Sequence, residues 1–211
     1  MSRTRIKICG LRDPAHARLA ADEGADAIGL VFHKPSPRYI EMRDAAKVAQ
    51  VVPPYVTTVG LFVNLPAEQV HAILREVPID LVQFQGDEPP EYCAQFNRPF
   101  VRAVKVGPGV DLLEYAHRFS RAKALHLDAD VPGVAGGTGE TFDWSEVPRN
   151  LPLPLILSGG LTAQNVGRAM RQLKPWAVDV SSGVESARGI KDPAKIVEFI
   201  RSVRSEDAKS G

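Results

Sequence analysis

Short apolar runs rich in branched residues alternate with amphipathic stretches along the whole chain. A nearly continuous series of Val, Ile and Leu is typical of strands in a parallel sheet, because such strands are covered on both faces. Eight such runs are present, each separated from the next by a stretch with helical spacing. The predicted strands cover residues 5–10, 27–32, 57–63, 80–85, 100–106, 124–128, 153–158 and 177–181.

Two helix starts are marked by a short motif. Asp13-Pro14 and Asp192-Pro193 each place a carboxylate at an N-cap, followed by a proline at the first helical position, where a missing N–H group costs nothing. Gly24 suits the left-handed residue that ends a helix. These signals lie in the gaps between predicted strands, so the pattern indicates a repeated strand–helix unit.

Eight strand–helix units favour a single (β/α)8 barrel, an α/β fold with an all-parallel, closed, eight-stranded sheet. The chain has 211 residues, which is short for this fold, so the helices must be short. A doubly wound open sheet is the alternative, but Ile8-Cys9-Gly10-Leu11 lacks the glycine-rich dinucleotide fingerprint of that fold. We expect the barrel to cover residues 1–204, and residues 205–211 to form a frayed polar tail.

Charge and cysteine content narrow the possible partners. The chain has 26 Lys and Arg against 25 Asp and Glu, so no overall field recruits nucleic acid or an anionic membrane. No apolar run approaches the ~20 residues that cross a bilayer. Cys9 and Cys93 are too few for a disulfide framework or a zinc cluster, and no secretory signal is recognisable. A reducing, cytoplasmic setting is therefore expected.

Serine and glycine follow the last two predicted strands, as Ser158-Gly159-Gly160 and Ser181-Ser182-Gly183. Glycines let backbone N–H groups approach an anion, and (β/α)8 barrels commonly hold a phosphate at these two loops. Either segment alone is more simply a tight turn. Together they predict a phosphate site formed by Gly159, Gly160, Ser181, Ser182 and Gly183.

Cys9 and Asp128 lie at the carboxyl ends of the first and sixth predicted strands, where the chemistry of such barrels takes place. These strands face each other across the barrel, so the thiol and the carboxyl form a plausible base and acid. The ordinary alternatives are a small buried cysteine and a carboxylate that caps a helix or pairs at the rim. Lys7 shares a face with Cys9, so its ammonium is expected one layer below the thiol, where a cation lowers a thiol pKa.

Lys7 needs a partner if it points into the barrel, because a buried ammonium is rarely unpaired. The eighth strand neighbours the first in a closed barrel, so Asp179 is the expected partner.

Two loops are long for a barrel of this size. Residues 133–139 are rich in glycine, which suggests a mobile cover that is anchored by the aromatic residues at 142–144. Arg38 follows two prolines that stiffen the loop after the second strand, and a fixed arginine suits a bidentate contact to a substrate carboxylate. A solvated surface arginine is the ordinary alternative.

Segments along nearly the whole chain resemble the phosphoribosylanthranilate isomerase family of tryptophan biosynthesis. They are KICGL at 7–11, GLVF at 29–32, SPRYI at 36–40, VGLFVN at 59–64, LD at 127–128, GGTGETFDW at 136–144, LSGGLTAQNV at 157–166, VDVSSGVES at 178–186 and GIKD at 189–192. The resemblance implies that Cys9 is the general base, Asp128 the general acid and Arg38 a substrate-binding residue, with the phosphate held after strands 7 and 8. It implies an Amadori rearrangement of a small substrate, phosphoribosylanthranilate, by a monomer or homodimer. That reaction requires no metal, nicotinamide or flavin.

One position departs from the family pattern. The family usually carries a histidine in a Gln-Leu-His-Gly segment, whereas this chain has Gln83-Phe84-Gln85-Gly86. Gln85 is a predicted substrate-binding residue that forms hydrogen bonds but carries no charge near neutral pH. We expect the difference to affect the anthranilate end of the site and to leave the acid and base untouched.

Three other functions fit the same barrel. A histidine-pathway ketose isomerase resembles this chain in chemistry but uses two aspartates, and Cys9 at the first strand argues against it. A flavin-binding barrel uses similar phosphate loops, and a bound yellow chromophore would favour it. A phosphosugar-binding protein without catalysis would have no need of both Cys9 and Asp128.

Overall fold

A closed barrel of eight parallel strands dominates the computed structural model, which describes residues 3–105, 109–128, 147–148 and 150–209. The strands pair in chain order, and the last pairs with the first. Each lies within two residues of its predicted position, and the predicted fold class is confirmed. The strands are β1 Arg5–Cys9, β2 Ala27–Val31, β3 Thr57–Phe62, β4 Leu81–Phe84, β5 Phe100–Lys105, β6 Leu125–Asp128, β7 Leu155–Ser158 and β8 Ala177–Val180.

Among the described residues, helices on the outside of the barrel connect the consecutive strands from β1 to β6 and β7 to β8, and a further helix follows β8. They are α1 Pro14–Asp22, α2 Met42–Gln50, α3 Ala67–Glu76, α4 Pro90–Ala94, α5 Leu112–Arg118, α6 Val166–Leu173 and α7 Pro193–Lys209. Both predicted caps form: the Asp13 side chain accepts from the N–H of Ala15, and that of Asp192 accepts from the N–H of Ala194. Gly24 has a φ of 103°, as expected for the residue that turns the chain after α1.

The outward faces of the strands pack against the helices in one apolar core, which includes Ile6, Ile8, Phe62, Phe84 and Phe199. The inward faces form layers along the barrel axis, because successive side chains of a strand point to opposite faces. Val101, Ala124, Ile156 and Ala177 form an apolar cluster near the amino ends of the strands. Cys9, Val31 and Leu61 cluster at the carboxyl ends. The barrel interior is thus packed with apolar side chains near the amino ends of the strands, whereas the candidate catalytic side chains lie at the carboxyl ends.

The chain after β8 differs from the sequence prediction in two ways. A short 3₁₀ turn at Ser182–Val184 leads into an antiparallel hairpin of β9 Glu185–Ala187 and β10 Ile190–Lys191, which the periodicity did not indicate. The frayed tail predicted from residue 205 is corrected, because α7 continues to Lys209. Asp207 binds that end of the helix to the start of β1, accepting from the N–H of Thr4 at 3.0 Å and from its hydroxyl at 2.8 Å.

No helix among the described residues is both long enough and apolar enough to span a membrane.

Candidate active site

Cys9 and Asp128 are the last residues of β1 and β6, so both lie at the carboxyl ends of the strands. Cys9 is buried and Asp128 half-buried. Gly29 of β2 lies opposite Cys9, and a methyl group at that glycine would come within 2.7 Å of the Cys9 sulfur. The side chain of Cys9 therefore points into the barrel, as predicted, and a glycine in the next strand makes room for it.

A buried ionic layer lies directly below Cys9. Lys7 Nζ is 2.7 Å from Asp179 Oδ2, which confirms the predicted pair, and both side chains are about 95% buried. His126 Nε2 is also 2.7 Å from that same carboxylate oxygen. Burial alone would raise the pKa of Asp179, but Lys7 and His126 together lower it. We call Lys7, Asp179 and His126 the ionic layer.

Burial and several neighbouring charges affect the pKa of the Cys9 thiol. Burial raises the pKa of Cys9; Lys7 acts in the opposite direction without cancelling this effect, and Asp179 adds to it. The net direction is therefore opposite to the predicted one, because how deeply the sulfur is buried cannot be judged from its position in the sequence. Burial likewise disfavours the charged form of Lys7, but Asp179 and Cys9 outweigh this and raise the pKa of Lys7.

Gln85 contacts the proposed acid directly. Its Nε2 donates to Asp128 Oδ2 at 3.1 Å, while its Oε1 accepts from Gln83 Nε2 at 2.9 Å. Position 85 therefore contacts the proposed acid, which the sequence did not indicate, while the effect of glutamine in place of histidine there stays a prediction. A cavity of about 470 Å³ opens beside these two residues, lined also by Asn64, Arg102 and Lys105.

Arg38 lies on the other side of the mouth, at Gly10 and the loop after β8. Its guanidinium forms a bidentate pair with the buried carboxylate of Glu185, at 2.6 Å from Nε and 3.0 Å from Nη2. Lys191 donates to the same carboxylate at 2.9 Å and to the carbonyl of Ser181 at 2.7 Å. Burial alone would raise the pKa of Glu185, but hydrogen bonds from Arg38, Gly189 and Lys191 lower it. Arg38 is thus held in one orientation by a protein carboxylate.

The loops after β7 and β8 meet at the predicted phosphate site. Gly159 and Gly160 have φ values of 90° and 60°, a conformation that favours glycine. A methyl group at Gly183 would lie 1.9 Å from the carbonyl oxygen of Leu161, so the two loops touch through a glycine. The end of β1 also joins these two loops, because the hydroxyl of Ser181 donates to the carbonyl of Cys9 at 3.1 Å. The five predicted residues are therefore brought together on adjoining loops, with Ser182 exposed.

Several polar residues around these sites were not predicted from the sequence. His126 carries a usable signal, since it lies two positions before Asp128 and so faces the barrel interior. Glu185 and Lys191 lie in the unpredicted hairpin, and nothing in their spacing indicated a pair. Glu88 and Arg102, joined by a buried 2.8 Å ion pair, were also missed.

The predicted glycine-rich cover at 133–139 and its aromatic anchor at 142–144 lie outside the described residues. Within the described ranges, no group of three or more His, Cys, Asp or Glu side chains is placed to hold a metal ion.

Known proteins resemble this chain over nearly its full length. A family profile described as N-(5'phosphoribosyl)anthranilate (PRA) isomerase matches residues 6–202. N-(5'-phosphoribosyl)anthranilate isomerase of Pseudomonas putida is 52% identical over 204 residues, covering 97% of this chain and 99% of the relative. The enzyme of that name from Dechloromonas aromatica is 52% identical over 205 residues, covering 97% and 98%.

Solved structures of phosphoribosyl anthranilate isomerases also resemble this chain over nearly its full length. Phosphoribosyl anthranilate isomerase from Thermotoga maritima has a TM-score of 0.88 and 38% identity, covering 96% of this chain and 99% of that one. A phosphoribosyl anthranilate isomerase in complex with reduced 1-(o-carboxyphenylamino)-1-deoxyribulose 5-phosphate has a TM-score of 0.84 and 36% identity, with the same coverage. This chain belongs to the N-(5'-phosphoribosyl)anthranilate isomerase family.

Proposed function

We propose that this chain converts N-(5'-phosphoribosyl)anthranilate to 1-(2-carboxyphenylamino)-1-deoxyribulose 5-phosphate, a step of tryptophan biosynthesis. The observation that carries the proposal is the placement of a thiol, Cys9, and a carboxyl, Asp128, at the carboxyl ends of β1 and β6, three strands apart around the closed barrel. A relative whose structure matches this chain holds a reduced form of the proposed product.

The reaction needs one acid and one base. The acid protonates the ring oxygen while the C1–O bond breaks, which opens the furanose and leaves a Schiff base between C1 and the anthranilate nitrogen. The base then removes the proton from C2 to give an enolamine. The enolamine gains a proton at C1 and loses the proton of its C2 hydroxyl, which gives the ketone. We assign the acid to Asp128 and the base to Cys9, each worth roughly 10² to 10⁴ in rate.

The contacts at the mouth of the barrel support three separate groups of residues that bind the substrate. The loops that carry Gly159, Gly160 and Gly183, with Ser181 and Ser182, offer backbone N–H groups for the phosphate. Arg38 uses Nε and Nη2 for Glu185, so the edge that carries Nη1 is directed elsewhere and suits the anthranilate carboxylate. Gln85 hydrogen-bonds the acid and lines the cavity beside it, so it is placed to contact the substrate as well.

The chemistry above consists of proton transfers, so we expect it to proceed without a metal or an organic cofactor. We propose a cytoplasmic enzyme, since its two cysteines are both free and buried, as is typical of a reducing compartment. We propose that it acts as a monomer or homodimer.

A fluorescence assay of freshly made phosphoribosylanthranilate tests the proposal. The wild-type chain should consume the substrate, while Cys9→Ala and Asp128→Asn should lose roughly 10² to 10⁴ of the turnover number. Both variants should keep product affinity, because each removes a proton-transfer group rather than contact area. Cys93→Ala is the matched control and should retain activity, since Cys93 lies in α4, away from the strand ends. An inactive wild-type chain would refute the activity, and near wild-type turnover of either variant would refute that residue's role.

A further inference from the structure

The ionic layer places ionisable side chains in the middle of the barrel, where such residues are unusual. Lys7, His126 and Asp179 come from three strands, β1, β6 and β8, and all three side chains are at least 94% buried. Apolar residues fill the layer below, and the Cys9 cluster lies above. Burying charges costs free energy, and well-packed apolar residues in place of an ion pair are often neutral or stabilising. The layer therefore calls for an explanation other than stability.

The side chain of Lys7 lies beside the thiol of Cys9. A methyl group at Gly29 would lie 2.7 Å from the Cys9 sulfur and 3.2 Å from Lys7 Cε, so both side chains occupy the space beside this one glycine. The Lys7 ammonium donates to the carboxylate of Asp179 at 2.7 Å, and its charge lowers the pKa of the neighbouring thiol against the effect of burial.

Asp179 is itself fixed from the opposite side. One oxygen, Oδ2, receives both the Lys7 ammonium and the His126 ring nitrogen at 2.7 Å. Since Asp179 carries a negative charge, His126 donates its Nε2–H to it. His126 lies two residues before Asp128, so the layer connects the strand of the proposed acid to the strand of the proposed base.

We propose that Lys7 is a positioning residue for Cys9: its ammonium, held in place by Asp179, which His126 fixes from the other side, stabilises the Cys9 thiolate that takes the substrate proton. This inference rests on the proposed function. Burial raises the pKa of the Cys9 thiol and Lys7 opposes this effect, so the ammonium increases the share of thiolate, which is the form that acts as a base. The charged groups that face Cys9 are Lys7 on its own strand, Asp179 on β8 and Lys191 on β10, and Lys7 exerts the largest effect of the three.

The test must separate an electrostatic role from a structural one. Lys7→Met alone would leave the Asp179 carboxylate buried without its ammonium, so the variant to use is Lys7→Met with Asp179→Asn, which removes both charges. Lys7→Gln with Asp179→Asn is a second variant, should the first not fold. Lys7→Arg is the matched control because it keeps the cation. All are made in a Cys93→Ala background, so that Cys9 is the one remaining cysteine.

The readout is the titration of Cys9 itself, followed by NMR of a ¹³Cβ-labelled cysteine. In the variants that lack both charges, called charge-free below, we expect the midpoint of the thiol titration to rise by about one pH unit, because the loss of Lys7 outweighs the opposing loss of Asp179. In Lys7→Arg the midpoint should stay close to that of the wild type. Turnover of phosphoribosylanthranilate should fall by about tenfold or more at neutral pH with little change in KM, and the acidic limb of its pH profile should move to higher pH.

An unchanged Cys9 midpoint in the folded charge-free variant would overturn the inference. So would a midpoint that moves as far in Lys7→Arg as in the charge-free variant, because the cation would then be irrelevant. The titration needs no turnover, so its result is separate from that of the proposed activity. A chain that fails to isomerise phosphoribosylanthranilate but shows the shift would refute the function and support the role of Lys7.

Discussion

At the residue scale, Gln85 is placed both to contact the substrate and to form a hydrogen bond with the proposed acid, Asp128. The Gln85 amide can donate to Asp128 without carrying charge, and its own carbonyl is held by Gln83. The sequence located Gln85 at a strand end but could not indicate this contact, because the reach of one side chain across the barrel mouth depends on the rotamers of both. The amide therefore contacts the acid without adding a charge to the site.

We expect Gln85→His to lower the turnover number most strongly below about pH 6.5, where a histidine is protonated. A cation in contact with Asp128 favours the carboxylate over the acid that must protonate the ring oxygen. Turnover number and KM measured separately from pH 5.5 to 8.5 check this. A change confined to KM across the whole range would mean that position 85 acts on the substrate alone.

At the element scale, strands were easier to predict than the connections between them. Runs of branched apolar residues identify strands that are buried on both faces, and the motifs at Asp13 and Asp192 identify helix starts, because these signals are local. The β9–β10 hairpin has strands of three and two residues, too short for any periodicity. The end of α7 was missed because its polar residues face tertiary partners: Glu206 is buried and pairs with Arg171, and Asp207 holds Thr4.

The contact between the loops after β7 and β8 has a sharp steric requirement. Gly183→Ala would place a methyl group 1.9 Å from the Leu161 carbonyl oxygen, so the two loops must separate. We expect KM to rise and product affinity to fall, since the phosphate groups of both ligands would lose donors from one loop, and stability to fall by about 1 to 3 kcal/mol.

Gly167→Ala is the control for that substitution. Gly167 lies in α6, and its added methyl group would meet the end of the flexible Glu206 side chain at 2.9 Å, which can move. Kinetics with the substrate and thermal unfolding of both variants make the comparison. If Gly183→Ala kept the wild-type KM and product affinity, the close contact between the loops would have no part in holding the phosphate.

At the scale of the whole molecule, closure of the barrel is what assembles the site. Lys7 and Asp179 are 172 positions apart in sequence, yet the parallel pairing of β8 with β1 places them side by side in register. The count of eight strands predicted this closure, and with it the pair. It did not predict His126 as a second partner of Asp179, because strand order alone does not fix which interior side chains meet across the barrel.

Closure also gives the ionic pair a role in stability that depends on pH. The pKa of Asp179 is lowered by folding, so the pair contributes stability above the ordinary aspartate range, near 3.8, and loses it as pH falls through the lower folded value. The pKa of Lys7 is raised, so its contribution is present below 10.5 and is lost as pH rises through the higher folded value. Between these limits both charges favour the folded state relative to a state with one of them removed.

We therefore expect Lys7→Met to lose roughly 3 to 5 kcal/mol of unfolding free energy at pH 7, because the Asp179 carboxylate is left buried without its ammonium. Lys7→Met with Asp179→Asn should recover most of that loss, since no charge is then stranded in the interior. Urea unfolding of the wild type and both variants at pH 7 measures these differences.

The same three proteins at acidic pH separate a charge effect from a packing effect. Below about pH 4 the wild type loses the stability linked to the ionised Asp179, whereas the charge-free variant has no such group to titrate. The stability of the wild type relative to the charge-free variant should therefore fall as pH is lowered from 7 to 3. A difference that stayed constant over this range, or a Lys7→Met variant as stable as the wild type at pH 7, would mean that the pair is held by packing and that its charges contribute nothing to folding.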